Sequence, residues 1–232
     1  MIVGSQPATS EETAATATPH GADREIPFCR TVITDDAQQA ALRVLAGGWV
    51  TMGAESVAFE EEFASWVGAR HAVAVSSCTA AIQMALTALD LPPGSGVLTP
   101  TLTFCGAVQA IVHARLRPVL VDADARTLTV SPEAVAAAAR RGAVAMVVQH
   151  MAGYPVDSAE LAAAAGIPMD NVVEDAAHGL GATIGGRPVG SDSRGPASAS
   201  TPPRTSPSGK AGRSPPPTAS WPNGCGGCGC TA

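Results

Sequence analysis

Five small residues, Ser76, Ser77, Cys78, Thr79 and Ala80, connect a short apolar run to a strong helix-forming segment. At a helix N-terminus, hydroxyl groups and backbone N–H groups favour an anion such as a phosphate. Small side chains also let a ligand approach the backbone closely. The alternative is an ordinary helix cap made by a Ser or Thr hydroxyl. The segment is therefore a candidate phosphate site whose residue types also fit a structural cap.

A second group of reactive side chains, Glu174, Asp175 and His178, comes at the end of another apolar run. A carboxylate here could stabilise a protonated ring nitrogen, and His178 could hydrogen-bond a phenolic or carbonyl oxygen. Phe104 lies at a predicted strand-to-helix junction, where it could stack on a planar ring. The alternatives are that Asp175 caps the next turn and that Phe104 belongs to the core. Together, a phosphate cradle, a ring-nitrogen carboxylate and a stacking aromatic are the non-covalent parts of a pyridoxal phosphate site.

The elements that position these residues alternate between helical and extended patterns. In an α/β domain with a largely parallel sheet, strands are separated by helices of about ten residues, and ligands bind beyond the carboxyl ends of the strands. The candidate residues fall at such ends. The predicted helices are 37–45, 57–67, 80–86, 105–114, 131–140 and 158–165, and the predicted strands are 71–75, 96–99, 118–121, 144–148 and 172–175.

Composition separates a globular body from two biased ends. Residues 194–232 contain eight of the 19 prolines and no Leu, Ile, Val, Phe or Met, and so cannot bury enough apolar surface to offset the entropy of ordering. We expect this segment to be disordered, as we do the Ser-, Thr- and Ala-rich residues 1–22. The body therefore lies within 23–193. Three clustered cysteines, Cys225, Cys228 and Cys230, have no second pair or nearby His and are a weak zinc signal, so no metal site is predicted.

Charge and hydropathy exclude two classes of partner. Four basic residues and no acidic ones lie in 194–232, which leaves ten basic residues against 20 acidic ones, a formal charge of −10, in the rest of the chain. Such acidity argues against nucleic-acid binding as the main function. No run approaches the roughly 20 apolar residues of a membrane span, and the first 22 residues lack the pattern of a secretory signal. We expect a cytoplasmic protein with no membrane partner.

The motifs resemble those of the DegT/DnrJ/EryC1/StrS aminotransferases over about residues 26–193, roughly the first half of a family member. The resemblance implies the large domain of the aspartate-aminotransferase fold, and pyridoxal phosphate-dependent amination of keto-sugar nucleotides by a donor such as glutamate. The matching motifs, in the family's order and spacing, are IPF at 26–28, GWVTMG at 48–53, FE at 59–60, SSCTAA at 76–81, PTLTF at 100–104, VLVD at 119–122, HMAG at 150–153, VEDAAH at 173–178 and GRPVGS at 186–191.

The resemblance also implies roles for individual residues. Asp175 pairs with the pyridinium nitrogen, His178 lies near the ring oxygen, and Phe104 stacks on the ring. Cys78 and Thr79 contribute to phosphate binding. Two further positions, Thr51 and Gly53, match the segment that borders the substrate. In this family the active sites form at dimer interfaces, so an intact member is expected to be a homodimer.

The chain departs from the family at the lysine that forms the Schiff base. The family continues from the motif at 186–191 to this lysine about 14 residues on, which here is Arg204. A guanidinium stays protonated and is not a usable amine nucleophile at neutral pH. The single lysine, Lys210, lies in the segment expected to be disordered. We therefore expect no catalytic residue of this kind and no transaminase activity.

A one-base shift of the reading frame accounts for this departure. When codons 197–212 are read one base upstream, the degenerate third bases allow the sequence CFSFYATKNLPIGEGG. This sequence resembles the active-site segment of the family. Its lysine codon overlaps the codon of Arg204. Our interpretation is a truncation or frameshift near Ser193, with residues 194–232 out of frame.

Two alternatives stay open at the level of the sequence. One is a non-catalytic fragment or binding protein that pairs with an intact homologue. The other is a lysine-independent pyridoxal phosphate enzyme, such as a sugar dehydratase in which another residue serves as the base.

Overall fold

The computed structural model describes residues 33–191 and the backbone of two later strands, 197–200 and 228–231. The expected disorder of residues 1–22 lies outside the described residues. The helices are α1 (Asp35–Gly47), α2 (Ala54–Val67), α3 (Cys78–Ala88), α4 (Cys105–His113), α5 (Pro132–Ala139) and α6 (Ser158–Ala165). The strands are β1 (Ala72–Val75), β2 (Gly96–Pro100), β3 (Arg117–Val121), β4 (Ala143–Gln149), β5 (Val172–Asp175), β6 (Thr183–Ile184), β7 (Arg187–Pro188), β8 (Ala197–Ser200) and β9 (Cys228–Thr231).

Seven of these strands form one sheet in the order β1-β9-β8-β5-β4-β2-β3. The pairs β2–β3, β2–β4, β4–β5 and β5–β8 are parallel, and β9 is antiparallel to both of its neighbours. The predicted α/β architecture with a largely parallel sheet is confirmed. Because β2, β4 and β5 run in the same direction, their carboxyl ends meet at one edge of the sheet.

Helices cover both faces of the sheet, and strand residues alternate between two cores. Val97 of β2, Val147 of β4 and Val173 of β5 belong to the cluster that packs against α3 and α4. Leu98 and Met146, the neighbours of the first two in sequence, belong to the opposite cluster with α5 and α6. This period of two is what a strand buried on both faces requires. It also determines which face each polar residue at the strand ends occupies.

Two strands, β8 and β9, lie within residues 194–232. β8 pairs with β5 and β9 pairs with β1, so together they fill the space between those strands. Ladder pairing satisfies backbone N–H and C=O groups that would otherwise be exposed along β5, and it needs no apolar side chain. The predicted disorder of the rest of 194–232 lies outside the described residues.

Within the described part of the chain, no helix is long and apolar enough to cross a membrane.

Candidate active site

Asp175 is the last residue of β5, and its side chain is buried, with 4% of its surface exposed. Its Oδ1 accepts a hydrogen bond from the backbone N–H of Ala177 (3.1 Å) and lies 3.5 Å from Sγ of Cys78. The turn-capping contact considered from sequence is therefore present. Burial raises the pKa of Asp175, and the two donors and the nearby His178 and His150 oppose this effect. A buried carboxylate of this kind is stabilised by a cationic partner, such as a protonated ring nitrogen.

The N-terminus of α3 lies against Asp175. Ser77 is the N-cap, and its Oγ accepts from the backbone N–H of Ala80 at 3.1 Å. The capping alternative is thus also present in the structure. Cys78, the first residue of α3, brings its thiol to the carboxylate, and half-buried Thr79 follows it. The first turn of a helix presents backbone N–H groups to an anion, so this geometry remains compatible with a phosphate.

The N-terminus of α4 packs beside that of α3. A Cβ at Gly106 would overlap Oγ1 of Thr79 and lie 2.8 Å from Cδ1 of Phe104, so this close approach requires glycine. Phe104 occupies the N-cap position of α4 and is 67% exposed. The alternative that Phe104 is a core residue is therefore wrong. Its ring is available to stack on a planar ligand.

His178 is exposed and lies in the turn that follows β5. Its Nδ1 accepts from the backbone N–H of Ala152 at 3.4 Å. A neutral imidazole with Nδ1 as acceptor carries its proton on Nε2 and presents that N–H as a donor. Ala152 holds this position in a left-handed conformation, with φ of 52°. His178 is close enough to Asp175 to lower the pKa of that carboxyl.

His150, directly after β4, belongs to the site region but received no role from the sequence. Its side chain is fully buried, and its Nδ1 accepts from the backbone N–H of Val156 at 3.1 Å. Its backbone N–H donates to the carbonyl of Asp175 at 3.1 Å. Nε2 lies 3.9 Å from Oε1 of Glu174, which accepts from the hydroxyl of Ser158. Burial lowers the pKa of His150 to about 4, against the opposing charge of Asp175, so the imidazole is neutral at neutral pH. Two sequence signals mark His150, its place after an apolar run and its position at the start of the motif at 150–153, but neither indicates this contact.

The segment expected to border the substrate lies before α2. Thr51 is exposed, and Gly53 is the N-cap of α2. A Cβ on Gly53 would lie 2.8 Å from Cδ1 of Trp49, whose indole N–H donates to the carbonyl of Met52 at 2.8 Å. Within residues 33–191, no hydrogen bond or ion pair joins this segment to Asp175. Arg204 and Lys210 lie outside the described residues.

Comparison with known proteins decides the family. The sequence model of the DegT/DnrJ/EryC1/StrS aminotransferase family matches residues 31–199. The chain belongs to this family. Over 166 residues it is 38% identical to the spore coat polysaccharide biosynthesis protein SpsC of Bacillus subtilis (strain 168), a match that covers 72% of this chain and 43% of SpsC.

Solved structures support the same fold for this DegT-family chain. The aminotransferase from Psychrobacter cryohalolentis superposes with a TM-score of 0.71 at 30% identity, covering 88% of this chain and 49% of that one. The PLP-form of Spr1654 from Streptococcus pneumoniae gives a TM-score of 0.72 at 22% identity, covering 90% and 53%, and shows the fold alone. The chain thus spans about half the length of these relatives.

Proposed function

We propose that this chain is part of a pyridoxal phosphate-dependent aminotransferase that acts on keto-sugar nucleotides, with glutamate as the amino donor. The observation that carries the proposal is the buried carboxyl of Asp175 at the end of a parallel strand, beside the N-terminus of α3. The match to an aminotransferase family supports the reaction, and the relative SpsC, a polysaccharide biosynthesis protein, supports a sugar substrate. When bound, pyridoxal phosphate supplies an electron sink for amino transfer.

The described residues fit this coenzyme in four places. Asp175, held at Oδ1 by two donors, would face the protonated ring nitrogen. His178 would donate its Nε2–H to the ring oxygen, because its Nδ1 is already occupied. Phe104 would cover one face of the ring, and the first turn at Cys78 and Thr79 would hold the phosphate. Thr51 and Gly53 would border the sugar substrate.

At the position where the family has its Schiff-base lysine, this chain has Arg204, which cannot act as that amine nucleophile. We propose that it binds the coenzyme reversibly and does not transfer amino groups. No described residue is offered as a substitute for the lysine.

We further propose that residues 194–232 are translated out of frame, after a frameshift near Ser193. β8 runs between β5 and β9, an internal position where strands are normally rich in apolar residues. Residues 197–200 read Ala-Ser-Ala-Ser, whereas the shifted frame allows Cys-Phe-Ser-Phe at the same codons. The shifted sequence thus fits this position in the sheet better than the present one.

The last part of the chain supports the shift without any choice of third bases. A codon that ends in TG encodes Leu, Met or Val whatever its first base is. Read one base upstream, the codons of Trp221, Cys225, Cys228 and Cys230 all end in TG, so each becomes one of these three residues. The first three are spaced by four and three, as on one face of a helix, and the fourth falls outside that spacing. Because the codon of Trp is fixed, Pro222 becomes Ala, a strong helix former.

Sequencing the DNA across codons 190–232 tests the frame. We expect an overlapping frame with a lysine codon across Arg204, and a chain with the frame restored should form a borohydride-stable adduct on that lysine. An in-frame gene without this overlap would refute the frameshift and leave the coenzyme proposal standing.

Equilibrium dialysis of the full chain with pyridoxal phosphate tests the site. Asp175→Ala should weaken binding about tenfold or more, because it removes the charged partner of the ring nitrogen. Asp122→Ala is the matched control, since Asp122 is an exposed aspartate directly after the parallel strand β3. After borohydride treatment of the chain as written, peptide mapping should find no adduct on Lys210. A folded chain that binds no coenzyme, or transfers an amino group from glutamate to a keto-sugar, contradicts the proposal.

An exposed apolar segment supports pairing with a second copy of the chain. More than half of the surface of five large side chains is exposed along α1 and the turn that follows it: Leu42, Leu45, Trp49, Val50 and Met52. Contiguous apolar surface of this kind marks interaction sites. We expect a homodimer in sedimentation experiments that Leu45→Glu dissociates. Leu128→Glu, at a separate exposed leucine, should leave the dimer intact.

A further inference from the structure

Three buried side-chain atoms at the ends of the central strands have no hydrogen-bond partner among the described residues. They are Oγ1 of Thr99, Oε1 of Gln149 and Nε2 of His150. Thr99 is 1% exposed and Gln149 is 6% exposed. A buried polar atom left without a partner costs about 1–3 kcal/mol, so such atoms point to a missing contact.

Two of the three atoms, those of Gln149 and Thr99, lie on the face of the sheet that carries Asp175. Val147 and Val173 belong to the core beneath α3 and α4, and two residues further along the same strands come Gln149 and Asp175. Side chains alternate along a strand, so these two also point to that face. Gln149 and Asp175 are direct partners in the β4–β5 register, which puts their backbones about 4.8 Å apart.

Thr99 lies on the same face of the sheet as Gln149 and Asp175. It follows Val97 by two residues on β2, the strand next to β4, and so faces the same core. The register Leu98 to Met146 places Thr99 beside Val147, one side-chain level before Gln149. The hydroxyl of Thr99 is a donor and Oε1 of Gln149 is an acceptor, so the two unpartnered atoms are chemically complementary. His150 does not belong to this group, because its side chain bonds to Val156, which lies in the opposite core.

We propose that Gln149, supported by Thr99, is a positioning residue for Asp175. In this arrangement one buried water accepts from the Thr99 hydroxyl and donates to Oε1 of Gln149, and a second water links the amide N–H of Gln149 to Oδ2 of Asp175, because the structure contains neither contact as a direct hydrogen bond. Oδ1 already accepts from Ala177 and contacts Cys78, so this bond fixes the second oxygen and turns the carboxylate toward the ring nitrogen. The inference rests on the proposed coenzyme site, and it goes beyond the residues assigned to that site from the resemblance.

A comparison of two ligands separates positioning from a structural role. The probes are pyridoxal phosphate and its deaza analogue, in which a carbon replaces the ring nitrogen. Gln149→Leu should weaken pyridoxal phosphate roughly tenfold, the value of one hydrogen bond to a charged group, and leave the deaza analogue unchanged. Thr99→Val, which keeps the side-chain shape, should give a smaller loss of the same kind. Gln109→Leu, at an exposed position of α4, is the matched control.

Each outcome decides the assignment. Equal weakening of both ligands in Gln149→Leu shows a structural role and overturns the proposal, as does no weakening of either. If Gln149→Leu does not fold by circular dichroism, Thr99→Val carries the same two-ligand test. A folded wild-type chain that binds neither ligand refutes the proposed function and this assignment together. If the wild-type chain binds pyridoxal phosphate more tightly than the deaza analogue and the Gln149 and Thr99 variants keep the same difference, only the role of Gln149 is refuted.

Discussion

The buried imidazole of His150 should make the stability of the fold depend on pH. Its pKa is lowered to about 4 by burial, from an ordinary value of 6.5 in the unfolded chain. Between these values the unfolded state binds a proton that the folded state does not. Stability contributed by neutral His150 is therefore complete above pH 6.5 and is lost as the pH falls toward 4. The nearby carboxylates, Glu174 and Asp175, would favour a charged imidazole, but the burial effect is larger.

The magnitude follows from the width of this window. At about 1.4 kcal/mol per pH unit, the interval from 6.5 to about 4 corresponds to about 3 kcal/mol, of which about 2 kcal/mol falls between pH 7 and pH 5. The raised pKa of Asp175 acts in the opposite direction, because its folded state binds a proton more readily than its unfolded state. Comparison with a variant is needed to isolate the histidine. A change of about 2 kcal/mol is a large share of the stability of a typical domain.

His150→Asn isolates the imidazole, because its amide oxygen can still accept from the backbone N–H of Val156 and does not titrate. Urea unfolding followed by circular dichroism at pH 7 and pH 5 gives the free energies. We expect the wild type to lose about 2 kcal/mol more than the variant over this interval. His71→Asn, at an exposed histidine, should behave as the wild type. Equal pH dependence in wild type and His150→Asn would refute the assignment of a buried neutral imidazole.

Three local substitutions test the backbone around the site, each by urea unfolding. Ser77→Ala removes the N-cap of α3 and should cost about 1 kcal/mol, whereas Ser77→Asp should retain most of the stability. Ala152→Gly should stabilise the chain by about 1 kcal/mol, since its left-handed φ of 52° is strained for alanine, and loss of stability would contradict that conformation. Gly106→Ala should cost about 1–3 kcal/mol, because its Cβ would overlap Thr79, and an unchanged midpoint would show that α3 and α4 are further apart.

The elements were predictable because their local signals agree with their packing. α1 extends the predicted helix by two residues at each end, and both ends have local causes: Oγ1 of Thr34 caps the first turn, and Gly48 ends the helix with φ of 71°. The predicted range of β5 is identical to the observed one, since the apolar run at 172–173 is buried on both faces of the sheet. From that strand end, the position of Asp175 at the carboxyl edge of the sheet follows directly.

The side chains around Asp175 were less predictable because their burial depends on distant elements. Gln149 and His150 are adjacent in sequence, yet one faces the core beneath α3 and the other the core beneath α6. Nothing in a polar pair after an apolar run indicates that both become buried. Phe104 shows the reverse case. An aromatic residue in a chain with only four Phe favours the core, but the N-cap position of α4 leaves its ring exposed.

The placement of β8 bears on where the lysine expected for this family would lie. β8 is parallel to β5, and Ala199 is the register partner of Asp175, so the chain leaves β8 at the same edge of the sheet as the candidate site. Position 204 is four residues after Ser200, so an extended chain places the two at most about 14 Å apart. The pairing of β8 uses backbone groups, which are the same in either reading frame. Under the proposed frameshift, the lysine encoded across Arg204 would follow the end of β8 by at most this distance along the chain.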